Sequence, residues 1–249
     1  MKSYAKINWS LRITGKRADG FHDLETVFQT ISLHDELTFR DADALSLTCD
    51  DPTIPVDETN LVMRAARLAG SPPVAISLHK RIPAGGGLGG GSSNAAATLV
   101  ALGGDPALAL SLGSDVPFFL IGGTAYATGR GEVLTSLPPM SDIPLLLVLP
   151  EERVLTKDAF ARITRYSEPL GVDPYTRGFE SFTNDFEEPV FAIHPRLRDF
   201  KERMYGAGAM WASMTGSGST IVGAFNTAAA RDAAAAAFED VRTERAITH

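Results

Sequence analysis

Six glycines fall within the seven residues Gly85–Gly91, interrupted only by Leu88, and they sit between two segments of opposite periodicity. Val74–Lys80 alternates in the manner of a strand and reaches the tract through Pro83 and Ala84. Ser92-Ser93-Asn94 then opens an alanine-rich stretch to Leu102 that reads as a helix. Consecutive glycines let the backbone turn sharply and present its N–H groups to an anion. A helix that starts there adds unpaired N–H groups and the positive end of its dipole. Gly/Ser tracts are also the material of flexible linkers. This one is short and strand- and helix-bounded, which favours an anion loop over a linker.

Two familiar nucleotide loops fit poorly. A Walker loop needs a lysine directly before its Ser/Thr, and none stands there. Gly85, Gly87 and Gly90 do spell G-x-G-x-x-G, but so dense a run contains that pattern almost by necessity. Asp105, the nearest candidate for a ribose-binding acid, lies in the turn Gly103-Gly104-Asp105-Pro106.

Elsewhere, Ala5–Ile13 alternates strictly, predicting a half-buried strand with Lys6 and Asn8 neighbours on its polar face. Strands are expected over 24–32, 36–40, 45–49 and 144–149. Asp57-Glu58-Thr59-Asn60 opens a helix at Leu61, and 184–205 reads as helical despite Pro189 and Pro195. Met210–Met214 and Thr220–Phe225 read as strands around a second glycine turn, Gly216-Ser217-Gly218, followed by an alanine-rich helix over 227–238. This mixture lacks a regular βαβ repeat and predicts an α+β fold. The turn-rich stretch 129–143 sets an expected boundary near residue 140, giving domains 1–140 and 141–249.

A net charge of −7 provides no global basic field for nucleic acid. The first residues lack the apolar core of a signal peptide, and no apolar run is long enough to span a bilayer. The expectation is a cytoplasmic protein with no membrane or nucleic-acid partner and a single thiol, Cys49.

Pro83-Ala84-Gly85-Gly86-Gly87-Leu88-Gly89-Gly90-Gly91-Ser92-Ser93-Asn94-Ala95-Ala96 resembles the phosphate loop of the GHMP kinases, the superfamily of galactokinase, homoserine kinase and mevalonate kinase. Ala5-Lys6-Ile7-Asn8 and Gly15-Lys16-Arg17-Ala18-Asp19-Gly20-Phe21-His22 are similar to the branch that phosphorylates a cytidine-diphosphate-linked methylerythritol in the non-mevalonate isoprenoid pathway. Gly113-Ser114-Asp115-Val116-Pro117-Phe118-Phe119 and Met214-Thr215-Gly216-Ser217-Gly218 look like that branch's later motifs.

The resemblance implies a two-domain GHMP kinase fold with the active site in the interdomain cleft, ATP and Mg2+ as cofactors, and no obligate protein partner. It implies Asp115 as the general base and Lys6 as its electrostatic support. Asn8, Phe21, His22, Lys80 and Phe160 would meet the cytidine-diphosphate substrate, an aromatic stacking on the base and His22 bonding its edge. Pro83 through Ser93 would hold the phosphates, with the Ser93 hydroxyl nearest the metal and Ser92 the alternative. Taken alone, Ser114-Asp115-Val116-Pro117 reads as a turn or helix cap, Lys6 as a solvated strand lysine and Phe160 as a helical core residue. Two departures stand out: a short stretch at 103–111, and Trp9 where a smaller apolar residue is usual. Another GHMP kinase, or a nucleotide-binding protein without transferase activity, remains as an alternative.

Overall fold

The computed structural model describes residues 1–249, the side chain of Arg177 excepted. Strands β1 (Lys2–Lys16), β2 (His22–Asp41) and β3 (Ser46–Cys49) lead into helix α1 (Leu61–Ala69) and strand β4 (Val74–His79). Helices α2 (Gly90–Ala101), α3 (Ala109–Leu112) and α4 (Val116–Ile121) follow. Next come β5 (Thr124–Thr128), β6 (Val133–Ser136), β7 (Pro144–Leu149) and α5 (Thr156–Ala161). The chain closes with α6 (Glu187–Ile193), α7 (Pro195–Gly206), β8 (Trp211–Met214), β9 (Ile221–Ala224), α8 (Ala228–Ala234) and β10 (Arg242–Ile247). The expected α+β mixture is present.

Two compact units share these elements. One comprises Met1–Ala5, Leu33–Ala84 and Gly89–Gly122; the other comprises Lys6–Ser32, Gly85–Leu88 and Gly123–His249. In the first unit β4 lies parallel to β3 and antiparallel to Glu36–Asp41 of β2. Leu37, Val62, Ile76, Leu78 and Ala97 form a core there with α1 and α2, and Ala95, Leu99, Leu112 and Val116 form a second cluster. Asn60 caps α1 by accepting the Val62 N–H at 2.9 Å, as its sequence predicted.

In the second unit β5 pairs with Thr26–Gln29 of β2 and with β6. A separate antiparallel sheet runs β10-β7-β9-β8. β7 is central in it, which accounts for its unbroken apolar sequence. Leu146, Val148, Phe186, Phe200, Met214 and Phe225 belong to the core of this unit.

Four expectations need correction. The two strands at 24–32 and 36–40 are one strand of 20 residues, because Asp35 in the middle is fully buried rather than in a turn. β1 is not half-buried: Lys6, Asn8 and Ser10 are as buried as the apolar residues beside them. The helix over 184–205 is two, broken at His194 (φ −119°, ψ 71°), since the residue before Pro195 is pushed out of the α region. The stretch 129–143 contains β6, paired in a hairpin with β5.

Candidate active site

The glycine tract is introduced by a buried ion pair. Asp35 accepts the Arg81 and Ile82 N–H groups at 2.7 and 2.8 Å on one oxygen and the Lys80 ammonium at 2.5 Å on the other. Lys80 is thereby committed to the approach of the loop; a Cβ on Gly90 would come within 3.2 Å of its Nζ.

Beyond Pro83 and Ala84, the left-handed conformation recurs at Gly85, Gly87 and Gly89 (φ 74°, 79° and 71°). Gly89 is the N-cap of α2 and supplies no side chain to it. The helix therefore begins inside the glycine tract, earlier than expected, with Gly90, Gly91 and Ser92 in its first turn. Its first backbone bond runs from Ser93 N–H to the Gly89 carbonyl at 2.9 Å. The N–H groups ahead of it are the ones an anion can take.

The two serines face differently. Ser93 is buried; its hydroxyl donates to the Tyr4 carbonyl at 2.6 Å and lies 2.7 Å from Ser3 Oγ. Ser92 is half-buried, and its Oγ lies 3.9 Å from where a Cβ on Gly113 would sit. Ser92 rather than Ser93 thus faces the Gly113-Ser114-Asp115 motif.

Asp115 stands at the N-cap of α4, half-buried, yet its side chain makes no capping bond to the helix. Pro117, second in the helix, favours its first turn without a side-chain cap. The short segment before it folds as a 3-10 turn capped by Asp105, then α3, whose Ala109 and Leu112 pack with Val116. The carboxylate of Asp105 accepts the Ala107 N–H, a turn role as its sequence context implied.

In the second unit Lys6 and Asn8 come together, the ammonium donating to Asn8 Oδ1 at 2.7 Å. Lys6 also lies 5.4 Å from the centre of the Phe28 ring. The same Oδ1 accepts the Gly216 N–H at 3.0 Å, while Asn8 Nδ2 donates to Thr26 Oγ1 at 2.8 Å. Gly87 packs directly on the Thr215 backbone, so the glycine tract and the Gly216-Ser217-Gly218 turn are in contact.

Phe21 and His22 part company. His22 stacks on Phe160 (4.7 Å between ring centres, 15° between planes), with Tyr166 at 6.3 Å. Burial and the charge of Lys16 hold His22 below the usual histidine range. Phe21 is half exposed, with the Arg130 guanidinium 3.8 Å above its ring.

Sequence reasoning missed Glu25, three residues after His22. Its buried carboxylate accepts the Tyr175 hydroxyl at 2.6 Å, the Gly171 and Leu170 N–H groups at 2.9 and 3.0 Å, and the Tyr126 hydroxyl at 2.9 Å. Burial alone would raise its pKa, but these four donors hold it below the ordinary range. Burial, with Glu25 beside it, pushes Tyr126 up to about 12. A depressed carboxylate stabilises the fold above its unfolded pKa and loses that contribution as pH falls through the depressed value. Glu25→Gln is therefore expected to cost about 1–3 kcal/mol at neutral pH. It is also expected to shrink the loss of stability on acidification, as read by urea unfolding midpoints from pH 7 to pH 3. An unchanged acid limb would remove Glu25 as its source.

The GHMP kinases N terminal domain matches residues 60–123, and the GHMP kinases C terminal domain matches residues 177–242. The chain belongs to the GHMP kinase family. Within it, the chain is 42% identical to the 4-diphosphocytidyl-2-C-methyl-D-erythritol kinase of Chlorobium phaeobacteroides (strain BS1), over 90% of this chain and 88% of that one. The protein of the same name from Protochlamydia amoebophila is 40% identical over 88% of this chain and 81% of that one. A crystal structure of 4-(cytidine 5'-diphospho)-2C-methyl-D-erythritol kinase superposes with a TM-score of 0.87 at 35% identity, covering 100% of this chain and 99% of the other. Methanococcus jannaschii mevalonate kinase shares the fold (TM-score 0.72, 13% identity, covering 100% and 98%).

Proposed function

We propose that this chain transfers the γ-phosphoryl group of ATP to the 2-hydroxyl of 4-diphosphocytidyl-2-C-methyl-D-erythritol, giving the 2-phosphate and ADP in non-mevalonate isoprenoid precursor synthesis. The observation that carries this is the identity of about two residues in five, over nine tenths of the chain, with proteins of that name. Residues 1–140 act as the ATP-binding portion and 141–249 as the C-terminal portion, working in the cytoplasm. No helix among the described residues is long and apolar enough to cross a membrane.

Pro83–Ser93 holds the triphosphate through main-chain N–H groups of the glycine tract and the first turn of α2. Phosphoryl transfer leaves little covalent work to the protein, so position and electrostatics dominate. Asp115 accepts the proton of the 2-hydroxyl, a role supported by its place in the Gly113-Ser114-Asp115 motif that Ser92 faces. Lys6, oriented by Asn8, stabilises charge on the transferring group, and Asn8 helps hold the acceptor. Phe21, His22 and Phe160 receive the cytidine moiety, and the uncharged His22 bonds the base edge. Lys80 shapes the substrate side of the loop from its place on Asp35.

Magnesium would be held mainly by phosphate oxygens, since this ion keeps several waters and takes one or two protein ligands. The donor set fits that mode: among the described residues no cluster of three or more His, Cys, Asp or Glu could hold a metal, while Ser92 offers a hydroxyl beside the first turn of α2. The ion would neutralise charge developing on the β- and γ-phosphates.

ADP release from magnesium-ATP tests the reading, with the cytidylyl substrate, homoserine, galactose and mevalonate offered in separate assays. Turnover is expected with the cytidylyl substrate alone. Turnover confined to another alcohol would discard the cytidine role of Phe21 and His22, and none at all, with ATP bound, would discard the kinase.

A further inference from the structure

Asn184 stands three residues before α6, in an isolated parallel bridge with Leu11, and the residues on both sides of it are tied to β1. Leu11 N–H donates to the Thr183 carbonyl at 2.7 Å, Asp185 N–H donates to the Leu11 carbonyl at 2.9 Å, and the Asp185 carboxylate accepts the Ile13 N–H at 2.7 Å. The backbone position of Asn184 is therefore fixed from β1. Its buried side chain then reaches across to the glycine turn that follows β8. Nδ2 donates to the Met214 carbonyl at 2.6 Å and to the Gly216 carbonyl at 2.9 Å. Both partners can only accept, so the orientation of the amide is not in question. Oδ1 accepts the Phe186 N–H at 3.0 Å, which completes the set.

The turn held in this way also carries the donor that orients Asn8. Gly216 N–H and Lys6 Nζ converge on the same Asn8 oxygen, at 3.0 and 2.7 Å, with Thr215 Oγ1 at 3.3 Å. The other half of the Asn8 amide is fixed by Thr26, whose hydroxyl is itself committed to the Ser10 carbonyl at 2.6 Å. The carbonyl of that same Thr215–Gly216 peptide unit presses against Gly87 of the phosphate tract. A single buried amide thus stands at the head of a continuous chain of bonds that ends on the Lys6 ammonium. Glu187 supports the same strand end: its Oε1 accepts the Ser213 hydroxyl and the Met214 N–H, both at 2.8 Å.

We infer that Asn184 is a positioning residue for phosphoryl transfer, acting through the Thr215–Gly216 turn and Asn8 to set where the Lys6 ammonium points. The inference rests on the proposed role of Lys6. It separates Asn184 from an ordinary buried asparagine by one property: its loss is felt in the chemical step, and only while Asn8 is present to transmit it.

The test is a double-mutant cycle on kcat, measured with the cytidylyl substrate at a temperature where each variant is folded by circular dichroism. Asn184→Ala, Asn8→Ala and the double variant are compared with the wild type, and Lys6→Met is run beside them. Asn184→Ala is expected to lower kcat by about 10–100-fold, the scale on which a misplaced catalytic group is felt, and to leave KM for the acceptor within about twofold. The double variant is expected to match Asn8→Ala in kcat. If Asn184→Ala unfolds, Asn184→Ser, whose hydroxyl reaches at most one of the two carbonyls, takes its place with a smaller loss expected. A wild-type kcat in the folded variant, or losses that simply multiply in the double variant, would overturn the inference. Full turnover by Lys6→Met would instead overturn the reading of Lys6. An inactive Lys6→Met beside a fully active Asn184→Ala would leave that reading standing and remove only Asn184.

Discussion

Asp115→Asn is expected to lower kcat by about 10²–10⁴-fold, the usual worth of a positioned general base, with KM for ATP little changed. The substitution keeps shape and hydrogen-bonding reach but removes the ability to take a proton. Asp115 occupies the N-cap position of α4, but its side chain makes no capping bond to that helix. Were it a cap, replacement by Ala would cost about 0.5–2 kcal/mol and replacement by Asn almost nothing, since both residues cap well. Thermal unfolding beside the kinetics decides between the roles. A folded Asp115→Asn protein with wild-type kcat would end its assignment as the base.

Gly87→Ala is expected to be the most damaging change in the glycine tract, lowering stability by about 2–5 kcal/mol and raising KM for ATP steeply. Two costs add. A non-glycine residue in the left-handed region (φ 79°) costs about 1–2 kcal/mol. Overpacking a tight contact adds about 1–3 kcal/mol. The new Cβ would fall inside the shell of the Thr215 carbonyl oxygen and within 3.0 Å of its carbon. Thr215 has little room to retreat, because its N–H is bonded to the Thr220 carbonyl and its hydroxyl to the Asn8 backbone. Gly85→Ala is the control: φ is similar at 74°, but no atom lies within 4 Å of the added carbon. Urea unfolding of the two variants measures the difference, and equal losses would show that the Thr215 contact contributes nothing.

What the sequence revealed and what it hid follow from the range of the interactions involved. Local signals were legible: the cap of α1 at Asn60, the alternation of β4 and the apolar run of β7 each depend on residues close in the chain. The glycine tract declared itself for the same reason. Burial of β1 on both faces was hidden, because what covers Asn8 arrives 207 residues later at Thr215. The single strand β2 was hidden by Asp35, which reads as a turn former until its partners at 80–82 are known. β10 was missed altogether; its charged edge, Arg242-Thr243-Glu244-Arg245, disguises a strand paired along the whole of β7.

Within the site, residue types in a motif were easier to find than their supports. Lys6 and Asn8 share a face by simple alternation and do touch. His22 was singled out with Phe21, but its ring partner is Phe160, 138 residues away in the sequence, and no local pattern could pair them. Glu25 and Asn184 carry no periodicity that distinguishes them from surface polar residues; only the convergence of four and three bonds on them does so. The sequence put Ser93 nearest the metal with Ser92 the alternative; the helix register turns Ser93 toward Tyr4 and leaves Ser92 partly open.

In the proposed reading the tract from Gly85 to Gly91 would meet the triphosphate almost wholly with main chain, and a main-chain N–H reads a phosphate without regard to the nucleoside attached. Discrimination between adenine and guanine must be built elsewhere, in residues that meet the base. A programme to retarget the enzyme to another triphosphate should leave Gly85, Gly87 and Gly89 alone, since a side chain at these left-handed positions spends folding energy and returns no selectivity.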